Sequence, residues 1–73
     1  MESQEFLRQF ADAMEVDPGQ IGFDTVFKDR PEWDSLAALN VIAMVDELMG
    51  KSIAGNDLAT AVTIGDLWAT ISR

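Results

Sequence analysis

The run Glu32-Trp33-Asp34-Ser35-Leu36-Ala37-Ala38-Leu39 carries the chain from a loop marked by Pro31 into an apolar segment of helical period that ends at Gly50. A helix from Ser35 to Met49 is expected, stopped where Gly50 takes the left-handed conformation open to glycine. At about 100° per residue, Ala38, Leu39, Val41, Ile42, Val45 and Met49 share one broad arc and are read as the core face. The opposite arc holds Leu36, Asn40, Ala43, Met44 and Glu47, with Ala37 at its edge. That outer stripe is unusually apolar for an exposed helix.

Working outward, Ser3 to Met14 reads as an amphipathic helix. Phe6, Leu7, Phe10, Ala11 and Met14 fall at helical spacing, against Glu5, Arg8, Gln9 and Asp12 on the other side. Ser3 is the expected N-cap, and Asp17-Pro18-Gly19 breaks the pattern as a turn. Residues 15–34 then form a long connection, which an unstructured loop would not be expected to fill. It carries Ile21, Phe23, Val26, Phe27 and Trp33, too much apolar surface to leave in water, so an ordered loop over the core is expected. A single helical turn is placed near residues 25–27. After Gly50, Ile53 is the expected core anchor, and Asn56 or Asp57 is expected to cap a short helix through about Ala61. The last helix has the clearest start: Thr63 with Asp66 three residues on is a weaker version of the capping box, with Asp in place of Glu, and Val62 with Leu67 has the spacing of a hydrophobic staple. Leu67, Trp68 and Ile71 are its expected buried face. The fold class is thus all-α, a small four-helix bundle of three main helices and one short one, with a long ordered loop between the first and second.

The 73 residues contain no Cys, no His and no Tyr, so neither a disulfide framework nor a thiolate metal site is available. The apolar fraction of 48% suits a packed core, and no apolar stretch approaches a membrane span. The acidic start Met1-Glu2-Ser3-Gln4-Glu5 is unlike a basic signal peptide, and a cytoplasmic protein is expected. Thirteen acids against five bases give a net charge of −8, which repels nucleic acid and anionic lipid and favours basic protein surfaces. Neither nucleic acid nor membrane is therefore an expected partner, and the chain is read as a monomer.

Enzyme readings fail on residue type. General acid–base work needs a group tuned to neutral pH or converging carboxylates. Here Asp24 and Asp29 flank a loop, and Asp46 and Glu47, adjacent on a helix, diverge. The segment from Asp24 to Glu32 lacks the alternating oxygen ligands of a calcium loop, and no Gly-rich phosphate loop is present. Ser35 has no His to activate it, so a hydrolase triad is excluded within this chain. No catalytic residue and no metal site is assigned. Ser35 itself has two readings. Asp and Ser before an apolar helix are ordinary N-capping residues. The same position also tolerates a phosphoester, because free N–H groups and the helix dipole favour negative charge there.

Asp34-Ser35-Leu36 opening the second helix of an acidic, cysteine-free helical chain resembles the acyl carrier proteins, and Trp33-Asp34-Ser35-Leu36 resembles polyketide-type and stand-alone modification carriers. The likeness covers essentially the whole chain, residues 1–73, as one carrier-like domain. It takes in the long loop, Val41-Ile42-Ala43-Met44-Val45-Asp46-Glu47, Gly50 with Ile53, and Thr63-Ile64-Gly65-Asp66-Leu67. The resemblance implies that Ser35 receives 4′-phosphopantetheine from coenzyme A through a magnesium-dependent phosphopantetheinyl transferase, with Asp34 beside the transferase's metal site. It implies a thioester carrier of acyl or aminoacyl groups in fatty-acid, polyketide or related synthesis. Its partners are then acyl-activating, acyltransferase or synthase enzymes, which hold the catalysis. In fatty-acid-synthesis carriers the second helix is rich in exposed acids. Here the matching stripe, Leu36, Ala37, Asn40, Ala43, Met44 and Glu47, holds one acid, with Asp46 at its flank. That departure favours a dedicated pathway and an apolar docking surface anchored by Leu36 and Met44. The other function class is a non-catalytic helical interaction module in which Ser35 only caps a helix.

Overall fold

The structure, a computed structural model, describes residues 2–53 and 55–72. Four α-helices follow one another without a strand among the described residues: α1 Ser3–Met14, α2 Ser35–Met49, α3 Gly55–Thr60 and α4 Ile64–Ile71. Two short 3-10 turns, Pro18–Gln20 and Phe27–Asp29, order the connection between α1 and α2. The all-helical bundle is the expected one.

α1 forms as its period requires and buries Phe6, Phe10, Ala11 and Met14. Its N-cap is Glu2 rather than Ser3, and no side chain caps it; Ser3 is already the first helical residue. Glu15 closes the helix in the left-handed region at φ 59°, where its N–H returns to the Ala11 and Asp12 carbonyls. In the connection, Asp17 caps the first 3-10 turn by accepting from Gly19 N–H. The second turn lies two residues beyond the expected 25–27. It is built around Phe27, which is fully buried, whereas Val26 faces water.

Aromatic rings tie these pieces together. Phe27 meets Phe10 edge-on at 5.4 Å and Trp33 at 4.7 Å, while Trp33 stacks on Phe10 at 6.1 Å with 7° between planes. Phe6 continues the cluster to Trp68 of α4 at 5.0 Å. Such contacts contribute about 0.5–1.5 kcal/mol each beyond area burial. They anchor both the middle and the exit of the long loop, and so fix where α2 begins.

α4 starts with every early N–H satisfied. Ile64 donates to Thr25 O at 3.1 Å and Gly65 to Phe23 O at 2.8 Å, so two loop carbonyls seat on the helix end. Gly65 is required there, because a Cβ would stand 2.9 Å from Phe23 O. Asp66 N–H donates to Thr63 Oγ1 at 3.0 Å, and the Asp66 carboxylate accepts from Thr63 and Val62 N–H at 3.0 and 3.1 Å. The capping box is therefore complete. The staple is not matched by burial, since Val62 is 56% exposed while Leu67 is fully buried. α3 begins at Gly55, ahead of the expected cap at Asn56 or Asp57. Ile53 is buried as expected, and Ile64 joins Leu67 and Ile71 in the core, with Trp68 half-buried against them.

The N–H groups of Thr63 and then Val62 hold the Asp66 carboxyl below its ordinary range. A folded value below the unfolded one gives stability that is complete above the unfolded pKa and lost as pH falls through the folded one. Asp66→Asn should therefore lower the urea midpoint at pH 7, and the gap to the unsubstituted protein should close as pH falls below the carboxylate range.

Candidate functional site

The candidate site is the start of α2, held between the aromatic anchor at Trp33 and the first turn of the helix. Asp34, in extended conformation, is the N-cap: its Oδ1 accepts from Ala37 N–H at 2.8 Å and its carbonyl accepts from Ala38 N–H at 3.0 Å. Ser35 is the first helical residue, exposed, and its hydroxyl makes no hydrogen bond among the described residues. The expectation that the cap falls to this pair resolves in favour of Asp34 alone. Ser35 is not needed to close the helix.

The electrostatics follow from the backbone. At α4 the loop carbonyls and Thr63 use up the free donors. At α2, Ser35 N–H and Leu36 N–H have no partner among the described residues and lie at the positive end of a 15-residue helix. No His, and no group of three metal-ligating side chains among the described residues, stands near to activate the hydroxyl. The arrangement displays an exposed alcohol to which no side chain is hydrogen-bonded among the described residues. Ser3 also stands first in its helix, but it is half-buried and follows a Glu2 that does not cap.

Beyond its first turn, α2 is turned roughly a quarter of a revolution from the expected orientation, at 100° per residue. Ala37 and Met44, expected on the outer stripe, are buried, with 4% and 8% of their surface exposed. Leu39, expected in the core, is 62% exposed, beside Leu36 at 59%. Only Ser35, Asn40, Asp46 and Glu47 are polar in this helix, too few to mark its wet side. Tertiary contacts decide it instead. Asn40 Nδ2 donates to Ala13 O at the end of α1 at 3.3 Å, and Val41, Met44 and Val45 turn into the core. The outward face thus includes Leu36, Leu39, Asn40, Ala43, Asp46 and Glu47, with Leu48 also exposed near the helix end. Leu39 was missed because periodicity cannot orient a helix that is apolar on nearly every side.

The division of roles predicts unequal stability costs. Asp34→Ala should lose about 0.5–2 kcal/mol, the usual range for an N-cap, whereas Ser35→Ala should change little. Urea unfolding of the two variants checks this.

Residues 4–71 match the family described as the phosphopantetheine attachment site. No curated protein and no solved structure matches the chain. The match spans all four helices, as the resemblance of Asp34-Ser35-Leu36 and its surroundings implied. This chain therefore belongs to the phosphopantetheine-binding family, as a helical carrier domain of the acyl carrier type that bears 4′-phosphopantetheine covalently.

Proposed function

We propose that Ser35 is the attachment residue and that the chain presents acyl or aminoacyl groups to partner enzymes. The observation that carries this is the exposed, unbonded Ser35 hydroxyl beside a cap already supplied by Asp34. A helix-capping role for Ser35, the basis of the interaction-module reading, has no support in this geometry.

The site fits the group. Ser35 Oγ is open to solvent, and the unpartnered Ser35 and Leu36 N–H groups favour a phosphodiester on it. In the attachment, Ser35 Oγ bonds to the phosphorus that bears the pantetheine arm of coenzyme A. The bond from that phosphorus to the bridging diphosphate oxygen breaks, and adenosine 3′,5′-bisphosphate leaves. The hydroxyl proton goes to a base of the phosphopantetheinyl transferase, because Asp34 is engaged with Ala37 N–H and the chain has no His. Once attached, the group supplies the thiol that this cysteine-free chain lacks, and its thioesters carry the cargo. Catalysis on that cargo belongs to the partners.

Partners meet the outward face of α2. Leu36, Leu39 and Ala43 supply apolar contact, and Asn40, Asp46 and Glu47 the polar rim. Ala37 and Met44 leave the proposed surface because they are buried. The sparse acids still favour a dedicated pathway over fatty-acid synthesis.

Incubation with coenzyme A and a broad-specificity transferase should add the mass of one phosphopantetheine to the unsubstituted protein and to Ser3→Ala. It should add none to Ser35→Ala; modification persisting in Ser35→Ala refutes the assignment. Against a cognate enzyme, Leu36→Ala and Leu39→Ala should each weaken binding by about 1 kcal/mol or more without unfolding the helix. Met44→Ala should instead cost about 2–5 kcal/mol of fold stability, as a buried methionine does. Glu47→Ala abolishing binding while both leucine variants leave it intact would overturn the apolar docking mode.

A further inference from the structure

α3 is the element least able to hold itself. It has six residues, of which only Leu58 is buried, and isolated helices of that length are not stable in water. Thr60 Oγ1 also turns back to the Asn56 carbonyl at 2.9 Å, a bond that slightly loosens helices. Yet the C-terminal turn of α3 is gripped from far upstream: Lys28 Nζ donates to Ala59 O at 2.8 Å.

Lys28 is well placed for this. It sits in the second 3-10 turn next to Phe27, whose ring is locked between Phe10 and Trp33. Its ammonium lies over the Phe27 ring, 5.7 Å from the centroid, within reach of a cation–π attraction. A cation at a helix C-terminus meets the negative end of the dipole and a carbonyl that the helix itself leaves unbonded. A donor anchored next to a packed ring thus holds a weak helix by one charged hydrogen bond.

We propose that Lys28 is an electrostatic latch that fixes α3 against the long loop, and that loss of its charge frees α3 while the rest of the bundle stays folded. The consequence is local control of the α3 end of the molecule. This holds whichever residue bears the prosthetic group.

Amide hydrogen exchange on the full chain tests it, comparing Lys28→Met, which keeps an apolar stem, with Lys28→Arg, which keeps the charge. The reporter is Ala61 N–H, which donates to Asp57 O at 3.2 Å across the last turn of α3. It should exchange about five-fold faster or more in Lys28→Met and return towards the unsubstituted rate in Lys28→Arg. The amides of Phe10, Val45 and Ile71 should stay within about two-fold throughout. The latch is refuted if Ala61 is unprotected in the unsubstituted protein, if Lys28→Met leaves it unchanged, if all helices accelerate together, or if Lys28→Arg fails to restore it.

Discussion

The contact on which this structure turns is Trp33 against Phe10 and Phe27. Three rings, one from α1, one from the middle of the loop and one from its last residues, pack at 4.7–6.1 Å. A connection of this length has many conformations to lose, and apolar burial is what offsets that entropy. Because Trp33 is fixed, Asp34 is delivered in the extended conformation from which its carboxylate reaches Ala37 N–H. Because Asp34 caps, Ser35 is left with nothing to do for the fold. Packing in the core thus produces a free hydroxyl at the surface.

Charge is handled in a related way. Every cation among the described residues is occupied within the chain. Arg8 pairs with Glu5 at 2.8 Å and Arg30 with Glu32 at 3.1 Å, while Lys28 and Lys51 donate to the carbonyls of Ala59 and Ile71. The acids outnumber these paired cations, so the unpaired charge among the described residues is mostly negative. The net charge of −8 acts at long range to steer encounters, within a Debye length of about 8 Å at physiological salt. The exposed leucines of α2 act only on contact.

Much of this was legible in the residues, and the failures share a cause. α1 could be oriented because Glu5, Arg8, Gln9 and Asp12 mark its wet side, and α4 because Thr63 and Asp66 name its first turn. α2 could be delimited, from the residue after Asp34 to Gly50 at φ 64°, but not rotated. Its four polar residues leave the azimuth to Asn40's bond with Ala13 O and to the packing of Val41 and Met44, neither of which sequence spacing encodes. Ser35 stands out in the sequence by its motif, and its exposure at the first position of α2 agrees with the place expected of it. That Asp34 alone would cap was not legible there, since Asp and Ser are near-equal caps and only the loop's approach selects between them. The stacking of Trp33 on Phe10 left no trace in periodicity, because it joins distant segments of irregular chain.

The cap of α2 rests on Asp34 and is independent of Ser35. Ala37 N–H reports it directly, because it is a third-position donor with no carbonyl partner inside the helix and is protected only by the Asp34 carboxylate. Its exchange should remain slow in Ser35→Ala and in the phosphopantetheinylated protein, and become fast in Asp34→Ala. Protection that disappears with Ser35→Ala or on modification, or that survives Asp34→Ala, would show that the Asp34 carboxylate is not what closes the helix.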